Sequence, residues 1–300
     1  MSGSLKIPAP CKINLHLRVG KLRADGYHDL ESLFAAVDFG DTLEFEVLKD
    51  PGICEILTDW PSASVPIPPS KNIVYKAVSL FRARTGFDRG LRIRLEKRVP
   101  LGGGLGGGSS DAAAALKALN LLADTGLDTG DLREMALNLG SDVPFFLGGG
   151  AALVSGRGER IEPLPVPAGL QVLLVNPGFP SPTAGSFRRL DQWREGNGGL
   201  PGPDLSRAGL IAALAKDPPE TWPYTNDFLP LFLAGGGEEA GAYRRLLSSL
   251  REEGADFAGL SGAGSTCFGI FKGRETAEKA LQALSKRWNM VYLTFFLASQ

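Results

Sequence analysis

Between Lys12 and Val19 the chain alternates strictly, with Ile13, Leu15, Leu17 and Val19 on one face and Lys12, Asn14, His16 and Arg18 on the other. This pattern predicts a strand buried on its apolar face only. A turn is predicted around Asp25 and Gly26, and DTLEFEVL and GLRIRLEKRV alternate again as strands. Between them Ile73, Val74, Ala77, Val78 and Phe81 recur at helical spacing. Downstream, Ala112, Ala115, Leu116, Leu119 and Leu122 mark a helix, and DLREMALNLG marks another closing on Gly140 as its C′ residue. AALVSGRGERIEPL reads as a glycine-turned hairpin. Leu170 to Val175 reads as a strand, 196–203 as a glycine- and proline-rich surface segment, and AYRRLLSSLREEGA as a helix. DFAGLSGAGSTCFGIFKG reads as two short strands about a glycine loop, RETAEKALQALSKRW as a helix, and MVYLTFFLA as an edge or central strand. Strands and helices are mixed throughout, so the class is α+β. The proline-punctuated PLPVPAG places a domain boundary near Pro163, giving domains 1–163 and 164–300.

One segment stands outside these periodicities. From Gly102 to Gly108 six of seven residues are glycine, and a helix follows at once, opening at Ser109 or Ser110. Glycine lets consecutive backbone N–H groups turn inward as an anion nest, and a helix start adds unpaired N–H groups and a positive dipole end. The alternative is a flexible connector whose serines N-cap a helix, but so many glycines abutting a helix start favour a phosphate loop. Gly102, Gly104 and Gly107 satisfy G-x-G-x-x-G, yet the chain runs on through Asp124 and Asp128 into a second helix, which is not a dinucleotide-binding context. A Walker A loop would end in Lys followed by Ser or Thr, and this one does not.

Composition narrows the setting. In 300 residues, apolar side chains make up 43% and charged ones 22%, as in globular proteins. A net charge of −1 lacks the uniform positive field that non-specific nucleic-acid binding needs, so a bound anion must be held locally. Cys11, Cys54 and Cys267 are odd in number and unpaired in spacing, which suggests neither disulfides nor a zinc site, and no metal-ligating set is assigned. The N-terminus has no apolar signal core and no run of 18 apolar residues occurs, so a cytoplasmic protein without membrane or nucleic-acid partners is expected. The oligomeric state is not legible.

The stretches PLGGGLGGGSSDAAAALKALN and LSGAGSTCFGIF resemble the phosphate-binding and C-terminal glycine motifs of the GHMP kinases. PAPCKINLHLRVGKLRADGYHDLESLF, LGSDVPFFL, LLVNPGFPSPTAGSF and NDFLP extend the resemblance over nearly the whole chain, in family order. They resemble in particular the branch acting on a cytidine diphosphate conjugate of methylerythritol in non-mevalonate isoprenoid synthesis. The resemblance implies an N-terminal α+β domain of the ribosomal protein S5 domain 2 type, a ferredoxin-like C-terminal domain, and an active site in the cleft between them. It also implies ATP-dependent phosphorylation of a hydroxyl.

Carried onto this sequence, the resemblance makes Lys12 and Asp142 the catalytic pair, Asp142 accepting the proton of the attacking hydroxyl and Lys12 stabilising charge. Read alone, Lys12 is a polar residue on a solvated strand face and Asp142 a helix cap. Asn14, two residues on, shares the face of Lys12 and takes a polar role beside the substrate. His28 suggests a general base by residue type, whereas the resemblance assigns it to cytosine recognition, between a stacking Tyr27 and an opposite aromatic wall, Phe187. Thr183 matches a substrate contact. For ATP, Gly102, Gly103, Gly104, Leu105, Gly106, Gly107, Gly108, Ser109 and Ser110 wrap the phosphates and Asn72 matches an adenine-side position. Mg²⁺ accompanies the nucleotide, with a hydroxyl of Ser109 or Ser110 as a candidate ligand, and Asp111 favours the helix N-terminus. Four positions depart from the family pattern: Cys11 stands for an alanine, Pro182 for a small polar residue, and Phe228 and Leu229 fall where an acidic residue is often found.

Other readings are a kinase for a different small alcohol such as mevalonate or homoserine, a non-catalytic nucleotide-binding module, and a nucleotide oxidoreductase. A substrate lacking a base gives Tyr27 and Phe187 nothing to stack on, and retention of both Lys12 and Asp142 disfavours the module.

Overall fold

The computed structural model describes residues 4–59, 71–197 and 205–299. The glycine- and proline-rich segment expected at 196–203 falls almost wholly outside them. The chain folds into two compact units that interleave in sequence. The first comprises residues 1–11, 39–99 and 106–148, the second 12–38, 100–105 and 149–300. Two long strands, β1 (Leu5–Leu22) and β2 (His28–Leu48), each contribute residues to both units.

In the first unit, β2 pairs antiparallel with β4 (Gly90–Glu96), which pairs in parallel with β3 (Cys54–Asp59). A parallel pair requires a crossover, and α1 (Ile73–Thr85) lies in it. Its buried face is Val74, Ala77, Val78 and Phe81, as the spacing predicts, and it ends where Gly86 turns left-handed at φ 73°. Helices α2 (Gly107–Ala123), α3 (Thr129–Leu139) and the short α4 (Phe145–Gly148) complete the unit. Ala112 to Leu116 of α2 are all buried, because alanine lets neighbouring elements approach every side of the helix. Gly140 does end α3, but at φ 168°, extended rather than in the left-handed conformation of a C′ glycine.

In the second unit, β2 pairs with β5 (Ala151–Gly156) and β5 with β6 (Arg160–Leu164), the hairpin read from the sequence. A second sheet has the order β10-β7-β9-β8, all antiparallel, from β7 (Gln171–Asn176), β8 (Phe257–Leu260), β9 (Cys267–Phe271) and β10 (Met290–Phe295). Helices α5 (Thr183–Asn197), α6 (Arg207–Lys216), α7 (Phe228–Ala234) and α8 (Gly237–Glu252) separate β7 from β8, and α9 (Arg274–Leu284) separates β9 from β10. This is the βαββαβ arrangement of a ferredoxin-like domain with additional helices in its first crossover. Its core joins Leu173, Val175, Leu246, Leu250, Leu260, Phe271 and Leu284 to Leu17 and Val19 of β1. All three cysteines are free thiols, and among the described residues no helix is long and apolar enough to cross a membrane.

The polar face of β1 is not solvated. Lys12, Asn14 and His16 are 3%, 3% and 1% exposed, so the strand is buried on both faces over this stretch. Polar side chains at such positions are uncommon unless they are bonded and used.

Candidate active site

The glycine loop begins in the second unit, where four successive carbonyls are held. Gly102 O accepts from Ser181 N (3.0 Å), Gly103 O from Thr266 N (3.0 Å), and Leu105 O from Lys12 N (3.0 Å). Gly104 O accepts from Ser261 Oγ (2.8 Å) and from the Lys12 ammonium (3.3 Å). In a trans peptide the next N–H points opposite to the carbonyl, so anchoring these oxygens turns the amides of Gly104, Leu105 and Gly106 to the other side of the loop. Only glycine fits at 104. It sits at φ +76°, and a Cβ there would lie 2.1 Å from Ser261 O.

The chain then enters the first unit as α2. The helix opens at Gly107, two residues before the serines, because Gly106 is the N-cap in a left-handed conformation (φ 69°) and has no side chain to cap with. The amides of Gly107, Gly108 and Ser109 are helix-initiating donors without an intrahelical acceptor. Ser110 is already engaged: its amide donates to Gly106 O (2.9 Å) and its hydroxyl to Pro10 O (2.6 Å). Asn72 caps α1, its Oδ1 accepting from Val74 N at 2.9 Å. Asp142 is half-buried in the turn between α3 and α4.

Lys12, Asn14 and the two glycine motifs meet in the second unit. The Lys12 ammonium donates to Asn14 Oδ1 at 2.6 Å and lies 4.6 Å from the centroid of the Phe34 ring. Asn14 Nδ2 donates to Ser32 Oγ (2.9 Å), and Ser32 in turn donates to His16 O. Asn14 N donates to Ser261 Oγ at 3.3 Å. The C-terminal glycine motif is held by Asn226, whose Nδ2 donates to Leu260 O and Gly262 O, both at 2.8 Å. Ser32, Ser261 and Asn226 all fall within the motifs that carry the resemblance, but no pattern in the sequence distinguishes them there. His16 Nδ1 accepts from Thr225 N, and burial, with Arg18 nearby, lowers its pKa to about 4.

The residues expected around a base are placed as follows. His28 is buried, its Nδ1 3.0 Å from Gly20 O and its Nε2 3.3 Å from Asp191 Oδ2. The Phe187 ring lies 5.1 Å from the His28 ring and packs edge-on against Phe228 at 5.0 Å. Phe228, one of the departures from the family pattern, is thus an aromatic core residue behind Phe187. Tyr27 is 51% exposed in the turn joining β1 to β2, with the Arg157 guanidinium 4.9 Å over its ring. Thr183 is exposed at the first position of α5, directly after Pro182, whose carbonyl accepts from Ser186 N. Cys11 is wholly buried.

These features combine an amide-lined glycine loop, a buried lysine bonded to that loop and a ferredoxin-like half, and the sequence matches accordingly. Residues 72–150 match the GHMP kinases N terminal domain and residues 210–289 the GHMP kinases C terminal domain. The class is therefore GHMP kinase. Similar curated proteins are named 4-diphosphocytidyl-2-C-methyl-D-erythritol kinase. One from Treponema pallidum (strain Nichols) is 37% identical over 95% of this chain and 96% of its own length. One from Anaeromyxobacter dehalogenans (strain 2CP-C) is 41% identical over 93% and 84%. A crystal structure of 4-(cytidine 5'-diphospho)-2C-methyl-D-erythritol kinase superposes with a TM-score of 0.77 at 33% identity, covering 97% of this chain and 99% of that one. The chain belongs to the 4-diphosphocytidyl-2-C-methyl-D-erythritol kinase family.

Kinases of this class use ATP as phosphate donor. The donor set fits a polyphosphate, since uncapped amides at the start of α2 follow a loop whose anchored carbonyls turn its own amides to one side. Among the described residues no group of three or more His, Cys, Asp or Glu is arranged to hold a metal ion.

Proposed function

We propose that this chain transfers the γ-phosphoryl group of ATP to a hydroxyl of 4-diphosphocytidyl-2-C-methyl-D-erythritol, giving the 2-phosphate and ADP in non-mevalonate isoprenoid precursor synthesis. The observation carrying this reading is the buried Lys12 ammonium, bonded at once to Asn14 Oδ1 and to the Gly104 carbonyl of the glycine loop. A cation in that position sits beside the phosphates that the loop binds and has little water to compete with, which strengthens its effect on developing charge.

In this reading Gly102 to Ser110 cradle the triphosphate, chiefly through backbone amides, with Asn72 on the adenine side. Asp142 accepts the proton of the attacking hydroxyl, and Lys12 stabilises charge on the transferred group. Asn14 orients the hydroxyl-bearing end of the acceptor. Tyr27, His28, Phe187 and Thr183 recognise the cytidine diphosphate end: the exposed Tyr27 ring is available for stacking, and the His28–Phe187 pair supplies a second aromatic surface. Mg²⁺ would accompany the nucleotide and supply neutralisation of phosphate charge, with a hydroxyl of Ser109 or Ser110 as the candidate protein ligand. Residues 1–163 carry the ATP-binding and catalytic groups, and 164–300 contribute Thr183 and Phe187 on the substrate side, in the cytoplasm.

The test is ADP release measured with three acceptors in parallel: the cytidine conjugate, mevalonate and homoserine. Turnover with the conjugate alone supports the reading. Turnover with either small alcohol at a higher kcat/KM overturns it.

A further inference from the structure

A buried charge triad in the first unit ties together the two ends of the glycine loop. Asp41, on β2, accepts through Oδ1 from the amides of Arg98 (2.5 Å) and Val99 (2.8 Å), which lead into the loop. Its other oxygen accepts from the Lys97 ammonium. The same ammonium donates to Asp111 Oδ2 at 2.7 Å, and Asp111 lies in α2 just beyond the loop. All three side chains are buried, and Asp111 Oδ1 has no hydrogen-bond partner among the described residues. Gly107 is pressed onto the triad, since a Cβ there would lie 2.8 Å from Val99 and 3.3 Å from Asp41 Oδ2.

We propose that Asp41, Lys97 and Asp111 are positioning residues for the nucleoside triphosphate, fixing the entry and exit of the glycine loop so that the amides of Gly107, Gly108 and Ser109 stay in array. This rests on the reading of that loop as the ATP phosphate site. A glycine-rich segment has many conformations, and ordering it on binding weakens affinity unless its ends are already fixed. Buried apolar residues often stabilise a fold as well as a buried ion pair does, so three charged groups here are better explained by the directional bonds they make. Burial pushes the Asp111 carboxyl up to about 8 against the pull of Lys97. An asparagine at 111 keeps an oxygen that can accept from the Lys97 ammonium at Oδ2 and is its closest mimic.

The experiment measures KM for ATP, KM for the cytidine conjugate, kcat and Tm in four enzymes: the parent, Asp111→Ala, Asp111→Asn and Lys97→Met. The triad predicts that Asp111→Ala and Lys97→Met raise KM for ATP about tenfold, with kcat at saturating ATP and KM for the conjugate little changed. It also predicts that Asp111→Asn stays within about threefold of the parent. A purely structural role lowers Tm or the folded fraction without moving KM for ATP, and that result overturns the proposal. If Asp111→Ala does not fold, Lys97→Met decides by the same readout, and failure of both to fold marks the triad as structural and also overturns it. A parent with no saturable ATP-dependent turnover contradicts the kinase reading itself, whereas an active parent with unaltered variants contradicts only the triad.

Discussion

Ser261 Oγ donates to the carbonyl of Gly104 at 2.8 Å, joining two glycine motifs 157 residues apart in the chain. The same carbonyl accepts from Lys12, so the loop proposed to bind phosphate and the lysine proposed to act on it are held by one oxygen. Within the second unit the geometry of the loop at Gly104 is thereby coupled to the C-terminal glycine motif.

Gly104→Ala tests that coupling. The added methyl would meet Ser261 O at 2.1 Å in a left-handed backbone, and the loop must shift to admit it. We expect stability to fall by about 1–3 kcal/mol and KM for ATP to rise about tenfold or more. Urea unfolding and steady-state kinetics check this, and a variant indistinguishable from the parent would show that the loop does not need its observed shape.

Lys12→Met and Asp142→Asn separate binding from chemistry. Each is expected to lower kcat by ~10² or more while leaving ATP affinity within about threefold, the pattern for groups acting chiefly in the transition state. Calorimetric titration of ATP alongside single-turnover rates checks it. Wild-type single-turnover rates in either variant would remove that residue from the mechanism.

Tyr27 is the cleanest probe of base recognition because its ring is half exposed and contributes little to the core. Tyr27→Ala should raise KM for the cytidine conjugate by an amount corresponding to ~1–3 kcal/mol of stacking, with Tm nearly unchanged. Phe187 is less suitable, since its ring also packs on Phe228 and removing it would loosen the core. An unchanged KM in Tyr27→Ala would exclude stacking on this ring.

His16 makes folding sensitive to acid. Its pKa falls from 6.5 to about 4 in the folded chain, mainly through burial. Below pH 6.5 the unfolded chain therefore takes up a proton that the folded chain refuses until about pH 4. Stability is lost as pH falls through that window, by up to about 3 kcal/mol from this residue. His16→Asn should flatten the difference in unfolding free energy between about pH 7 and about pH 5 relative to the parent. Equal pH slopes in the two proteins would show that His16 is not the group responsible.

Local patterning made the elements legible where the chain carries its own signal. The buried face of α1 and the β5–β6 hairpin follow directly from spacing and turn residues. The alternation of β1 was legible too, but its polar face looked solvated because nothing local reports that Phe34, Ser32 and Ser261 cover Lys12 and Asn14. The start of α2 was read two residues late because serine is a good cap, whereas here a left-handed Gly106 makes the turn. Helices α5, α6 and α7 have no counterpart among the elements read from the sequence. The role of Asp111 depends on Lys97, itself paired with a carboxylate 56 residues upstream, and no spacing rule connects these positions. In the site, the glycine run signals a phosphate loop by its own composition, whereas Lys12 and Asn14 stand out through the motif resemblance. Ser32 and Asn226, which hold them, became visible only through their hydrogen bonds.

The most direct test of the proposed function is phosphorus NMR of the purified protein with ATP, Mg²⁺ and 4-diphosphocytidyl-2-C-methyl-D-erythritol. A new phosphomonoester resonance that grows in step with ADP, with the diphosphate bridge of the acceptor intact, is the predicted result. ATP left unchanged by active-site-titrated enzyme, or phosphate released to water with the conjugate unaltered, would contradict it.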